Sequence, residues 1–261
     1  MKQKILVVLS VFMLAAGTDA FAQVERHRHH HRPHGDTGFG LTFGYVHSSY
    51  RTTDWATDEV ETSAGLDGFK LGVTKDFTLV PEALYFQTGL EYMYQNDARN
   101  ENVDGSDALI RIVGDRTEHY LDLPIRLKYN YPITERIGIS IDAGPTLLMG
   151  LSSKMKYRTR ISDEQTSTVV YNIYKAEMTK SGDSAGGFGL DSWINESGML
   201  PEGRLRRFDV MLGASVGADF FDMLEVRLGY DWGLINRYKK EIADDLKMRR
   251  GQFTLSVGVR F

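Results

Sequence analysis

The sequence predicts an all-β protein, an eight-stranded antiparallel transmembrane β-barrel, and three observations carry that expectation. From Gly38 onward apolar residues recur at alternate positions in segments of about ten residues, the period of a strand. The connections between those segments alternate between short and long, as in outer-membrane barrels. The chain reaches Phe261 at the end of an amphipathic strand, an aromatic ending that resembles the recognition signal of outer-membrane assembly.

The first 22 residues read as a secretory signal peptide, with Lys2 and Lys4, an apolar run from Ile5 to Ala16 and small residues at Ala20 and Ala22. Cleavage is expected after Ala22. The apolar run falls well short of the roughly 20 residues that a membrane-spanning helix needs. A His/Arg-rich tail, residues 23–37, follows, and residues 38–261 form the barrel domain. No later stretch is long and apolar enough for a helical span, so insertion must use strands. The absence of cysteine excludes disulfides, thiolate metal sites and cysteine nucleophiles. A net charge of −4 gives no basic surface for nucleic acid, and none is expected as a partner.

The eight segments are Gly38 to Tyr50, Gly68 to Leu79, Leu84 to Asn96, Glu118 to Tyr131, Arg136 to Tyr157, Arg204 to Phe220, Leu224 to Ile235 and Gly251 to Phe261. Val80 to Ala83, Pro132 to Glu135 and Phe221 to Met223 join them tightly. Arg51 to Asp67, Asp97 to Thr117, Arg158 to Gly203 and Asn236 to Arg250 join them loosely. Short turns belong to the periplasmic side of such barrels, which places both termini there and the long loops outside the cell. Arg158 to Gly203 is too long for a structureless connection, which makes it functional, locally folded or disordered and the first candidate for a working surface.

The last segment puts Phe253, Leu255, Val257, Val259 and Phe261 on one face and Thr254, Ser256, Gly258 and Arg260 on the other. Leu224, Val226, Leu228, Tyr230 and Trp232 oppose Glu225, Arg227, Gly229, Asp231 and Gly233 in the same way. A soluble sandwich or barrel would alternate too, with the polar face outward. Glycine sharing a face with ionisable residues fits a crowded small-barrel interior better than a solvated surface. Aromatic residues also gather at both strand ends, with Tyr45, Tyr92, Tyr94, Tyr230 and Trp232 toward the long loops and Phe77, Phe86, Tyr129, Tyr131 and Phe220 toward the short turns. The inward set then contains Lys70, Glu91, Asp122, Arg126, Lys128, Asp142, Asp209, Asp219, Glu225, Arg227, Asp231 and Arg260. Both charge signs are present, so an internal ion-pair network is expected rather than an open pore. A narrow channel or an accessory part of a secretion system is the alternative.

The segment His119-Tyr-Leu-Asp-Leu-Pro-Ile-Arg-Leu-Lys-Tyr129 carries Tyr120, Leu121, Pro124, Lys128 and Tyr129 in the spacing YLxxPxxxKY. Proline removes a ladder donor, so Pro124 implies a local irregularity in the strand. This segment resembles the signature strand of the PorT-like outer-membrane β-barrel family, the small OmpA/OmpX type of barrel. The resemblance implies the fold and an outer-membrane address over roughly Gly38 to Phe261, and it brings no catalytic residues.

The tail concentrates His27, His29, His30, His31 and His34, weak candidates for a metal site because neutral imidazole ligates zinc, copper and nickel. Its bland reading is a basic tail touching anionic headgroups or peptidoglycan. His47 with Ser48 and Ser49, and His119 with Glu118, are the residues a lipid hydrolase would draw on, but His47 and Ser48 point to opposite faces of a strand. No catalytic residue and no cofactor is therefore assigned, and the chain is expected not to be an enzyme. Gly182 to Gly189 lacks the strand-to-helix context of a phosphate loop. Lys239 to Arg250 fits a short rim helix, with Arg249 and Arg250 able to meet lipopolysaccharide phosphate. The expected partners are outer-membrane lipid, lipopolysaccharide and a surface or periplasmic protein. The expected role is structural or interactive, through the long loops, with a lipid-modifying enzyme as a third possibility.

Overall fold

The computed structural model describes residues 38–54, 60–81, 83–97, 101–104, 111–134, 136–160, 166–175, 177–182, 205–221, 223–239 and 246–261. Residues 1–22 and 23–37, with the signal peptide, the tail and its five histidines, lie outside them. Among the described residues eleven strands form one sheet: β1 (Phe39–Asp54), β2 (Val60–Val80), β3 (Leu84–Asn96), β4 (Glu101–Asp104), β5 (Arg111–Pro132), β6 (Ile137–Arg160), β7 (Thr166–Asn172), β8 (Glu177–Gly182), β9 (Phe208–Phe220), β10 (Leu224–Gly233) and β11 (Leu246–Arg260). Among the described residues no helix is long and apolar enough to cross a membrane.

Eight of these strands, β1, β2, β3, β5, β6, β9, β10 and β11, pair antiparallel in a ring that β1 and β11 close from Gly40↔Arg260 to Asp54↔Leu246. Pairing rows measure the stagger of the ring. From Tyr45 one row runs through Phe69 and Tyr94 to His119 on β5. The same row followed the other way runs through Leu255, Leu228, Val216 and Ile141 to Tyr129 on β5, ten residues from His119. Such a shear with eight strands gives a tilt of roughly 40° and an interior that side chains can fill.

Burial follows the period of two and is inverted relative to a soluble protein. Leu41, Leu71, Val73, Leu90, Leu127, Ile141, Leu212, Val216, Leu228 and Leu255 face outward and are exposed, while Lys70, Asp122, Lys128, Asp142, Asp209, Glu225 and Asp231 point inward and are buried. An exposed apolar belt around a charged interior is stable only with lipid outside. The girdles sit on the outward face, with Tyr129, Tyr131, Tyr230 and Trp232 all exposed. At the short-turn rim the Lys75 ammonium lies 4.5 Å from the Phe39 ring centroid and 5.2 Å from that of Phe77.

Pro124 leaves the mark expected of it. Pairing between β3 and β5 runs from Leu84↔Tyr129 to Thr88↔Ile125 and resumes at Glu91↔Asp122, skipping Leu123 and Pro124. The Thr88 hydroxyl donates to the Pro124 carbonyl at 2.9 Å across the gap. Opposite it, Gly144 on β6 is required by close approach, because a Cβ there would strike the Ile125 carbonyl oxygen.

Strand lengths differ from the expectation at the long-loop end. β5 has 22 residues and β6 has 24, against 10 for β10, where about 9 to 11 suffice to cross. The extra length carries β5 and β6 beyond the barrel, where β4 adds to β5 and the β7–β8 hairpin adds to β6. Within the Arg158 to Gly203 connection, residues 166–172 and 177–182 are thus locally folded. The rim helix over Lys239 to Arg250 is corrected: residues 246–250 belong to β11, and Arg250↔Tyr50 and Lys247↔Thr53 continue its ladder. The helical spacing of Ile242 and Leu246 loses to the backbone partners that β1 offers.

Candidate functional site

The lumen is filled from one rim to the other. Nearest the short turns, Glu225 receives Lys128 at 2.6 Å, Arg227 at 2.7 Å and Arg260 at 2.6 Å. Arg260 also reaches Asp219 at 2.8 Å, and Arg227 reaches Asp142 at 3.4 Å. Gln87 joins the cluster by accepting from Arg227 at 2.7 Å and donating to Asp76 at 2.6 Å. Higher up, Lys70 pairs with Glu91 at 3.2 Å and Asp122 at 3.1 Å, and Arg126 pairs with Asp231 and donates to Thr146 at 2.8 Å. Each of these charges meets its opposite, as charges withdrawn from water must, whereas the buried Asp209 is held by the Val210 backbone N–H at 2.9 Å. A cavity of about 50 Å³ remains between these groups, lined by Thr42, Lys70, Glu91, Arg126, Asp142 and Asp231 among others, room for a few waters and no more.

Above it lies an apolar layer of Val46, Met93, Tyr120, Leu148 and Met211, drawn from β1, β3, β5, β6 and β9. A second polar cluster sits on that layer. Glu118 accepts from Arg116 at 2.7 Å, Tyr50 at 2.5 Å, Tyr120 at 2.6 Å and Ser153 at 3.0 Å. Arg237 donates to the Tyr120 hydroxyl at 2.8 Å and lies over the Tyr50 ring at 4.8 Å. Arg250 stacks on Tyr120 at 4.3 Å and donates to Ser48 at 3.0 Å and to Gln95.

The mouth is closed by a third layer. Val169, Tyr171, Ile173, Tyr174 and Leu205 are buried together, with Met155, Met178, Tyr238 and Met248 against them. The hairpin β7–β8 supplies most of this cap, and the bridge between Leu205 and Tyr238 ties it across. Tyr174 places its hydroxyl where a side chain at Gly150 would stand. Burial pushes the phenols of Tyr174 and Tyr238 up from the ordinary tyrosine range.

The twelve expected inward charges all lie in the lumen or at its walls, buried or half-buried. Sequence reasoning missed the upper cluster. Arg116, Arg237 and Arg250 fall in segments assigned to loops, and only the continued alternation of Glu118 and Arg116 pointed inward. Arg250 is buried, so its assignment to lipopolysaccharide phosphate is corrected: the guanidinium is spent on Tyr120, Ser48 and Gln95. His47 and Ser48 do point to opposite sides. Ser48 is buried with Gln95, while His47 faces outward and bonds Asp67 through Nδ1 at 2.7 Å. Glu118 is inside the lumen and His119 outside, with Nδ1 at 2.5 Å from the Tyr92 hydroxyl, so these two do not form a pair either. Gly182 ends β8, and 183–189 lie outside the described residues. Among the described residues no group of three or more His, Cys, Asp or Glu could hold a metal ion.

Three solved outer-membrane proteins are similar to this chain. Ail, the attachment invasion locus protein of Yersinia pestis, superposes with a TM-score of 0.40 and 14% identity over 87% of this chain and 99% of its own. Neisserial surface protein A gives 0.37 and 10% over 87% of this chain and 100% of its own. The outer membrane enzyme PagL gives 0.36 and 12% over 83% and 98%. No curated protein sequence matches the chain. The family model for the outer membrane protein beta-barrel domain matches residues 21–239, most of the chain, and with the closed eight-stranded ring this places the protein in the outer membrane as a member of that beta-barrel family.

Proposed function

We propose that this protein is a non-conducting, non-enzymatic barrel that displays an extracellular β-sheet for surface interaction, with both termini in the periplasm and its signal peptide removed. The observation that carries this reading is the coincidence of a lumen sealed in three layers with a sheet prolonged outward on one side. β5 and β6 run far beyond the length a membrane needs, and β4 and the β7–β8 hairpin widen them into a platform. Lipopolysaccharide and a protein on another surface are the partners such a platform would meet. The PorT-like subgroup is supported by Tyr120, Leu121, Pro124, Lys128 and Tyr129 and by the ladder gap at Pro124.

Planar-bilayer recording of the refolded full-length barrel tests the reading against the transport alternative. It should show no steady openings. Stable unitary conductance from the intact protein would make it a channel and overturn the proposal.

A further inference from the structure

The outward face of β1, β2, β3 and β5 differs from the rest of the belt near the long-loop rim. Three successive pairing rows change character there. Phe43, Leu71, Tyr92 and Leu121 form the lowest, Tyr45, Phe69, Tyr94 and His119 the next, and His47, Asp67, Asn96, Thr117 and Lys154 the highest. Because the rows climb toward β5, the level of the strip is met on and just beyond β10, and on β9, farther toward the long loops, where the outward positions Tyr230, Trp232, Leu234, Leu212, Val210 and Phe208 carry no carboxylate or imidazole. The girdle is therefore an ordinary apolar and aromatic one on one side of the barrel and a chemically distinct strip on the other.

Within the strip the rings are continuous. Phe43 and Phe69 stack at 6.3 Å, Phe69 and Tyr94 meet at 5.4 Å, Tyr94 and His119 at 5.2 Å. Hydrogen-bonding groups bound it on both sides. Asp67 accepts from Tyr45 at 2.5 Å and holds His47 Nδ1 at 2.7 Å, with side-chain exposures of 44% for Asp67 and 36% for His47, and Tyr92 meets His119 at 2.5 Å. The other edge of the His47 ring lies over Gly65, where a Cβ would collide with it. Glycine there lets the imidazole lie flat against the barrel wall with Asp67 beside it.

We propose that this strip binds the sugar headgroup of an outer-leaflet glycolipid. Flat aromatic rings match the C–H faces of a saccharide, and a carboxylate with an adjacent imidazole and phenols matches its hydroxyl array. A carboxylate repels a bare phosphate, so a hydroxyl-rich headgroup fits better than an ordinary phospholipid. The depth also fits, because on β2 the exposed Val73, Leu71 and Phe69 separate Asp67 from Lys75 at the short-turn rim, which puts Asp67 toward the opposite interface, where an ionisable side chain costs about 0 to 1 kcal/mol. The proposal goes beyond the display of loops and rests on the orientation given above, with the long-loop rim in the outer leaflet.

The test uses the full-length barrel in vesicles of phosphatidylethanolamine and phosphatidylglycerol, with and without a phosphate-free diglycosyl diacylglycerol, re-extracted in mild detergent and weighed intact by mass spectrometry. The unmodified protein should keep the glycolipid in preference to either phospholipid. Asp67→Asn with His47→Gln, and separately Tyr94→Leu, should lower that retention about tenfold, the scale of losing hydrogen bonds to a charged group, while Tyr230→Leu across the barrel should not. None of these side chains enters the lumen, and a heat-dependent gel shift verifies that each variant is folded. No preference for the glycolipid, or an equal loss with Tyr230→Leu, would overturn the proposal. Orientation is read separately, by external protease on whole cells: protection of the β7–β8 hairpin would sink the orientation without touching retention in vesicles.

Discussion

Glu118 is the residue on which the upper lumen turns. It is fully buried and receives Arg116, Tyr50, Tyr120 and Ser153, with Arg237 at 3.8 Å. Removing a carboxylate from such a site leaves buried cations uncompensated, which costs about 3 to 5 kcal/mol. Glu118→Ala should therefore lower the urea midpoint of the folded barrel markedly, whereas Asp67→Asn, outside the lumen, should shift it little. Equal midpoints for Glu118→Ala and the unmodified protein would mean that the cluster is not a stabilising unit. Glu225, facing Lys128, Arg227 and Arg260, plays the matching part near the short turns. At this scale the sequence was informative for the lower lumen and silent for the upper one. Alternation identifies Glu225 and Arg227 as inward because their strand is regular. Arg237 and Arg250 escape it because neither lies within a clean alternating run, and nothing local to Arg250 says that β1 will draw it into a ladder.

At the scale of elements, the contrast between β10 with 10 residues and β6 with 24 decides the architecture of the mouth. The short strands leave a notch that the β7–β8 hairpin and the Leu205 bridge to Tyr238 fill with apolar side chains. The hairpin's hold should be sensitive to alkali. Burial raises the Tyr174 and Tyr238 phenols above the ordinary value near 10, so the cap is at full strength below that pH. It weakens as pH climbs from there through the raised values, because the opened phenols ionise first. Limited proteolysis should cut the hairpin faster above about pH 10 while the barrel keeps its gel shift, and Tyr174→Phe should blunt the effect. A cleavage rate flat in pH for the unmodified protein would show that these phenols do not anchor the cap. The eight ring strands were legible because each holds a period of two. Hairpin β7–β8 was not, because Thr166 to Asn172 and Glu177 to Gly182 carry little alternation and gain their pairing from the projecting edge of β6. The Pro124 gap was legible, since a missing N–H forces it wherever the strand lies.

For the whole molecule, the inside-out distribution of polarity ties the parts together: an apolar exterior wants lipid, a paired ionic interior wants closure, and closure depends on β1 meeting β11. That seam joins the two ends of the described chain, and the absence of native cysteine makes it directly accessible to cross-linking. Leu41 and Val259 face each other across it, with Leu41 on the lipid side. The most direct measurement is oxidation of a Leu41→Cys, Val259→Cys protein in intact cells, followed by fractionation and electrophoresis with and without reductant. The account predicts a cross-linked species in the outer-membrane fraction whose compact migration before boiling matches the unmodified protein. Absence of the cross-link, or its recovery in a soluble fraction, would contradict a closed barrel embedded in the outer membrane.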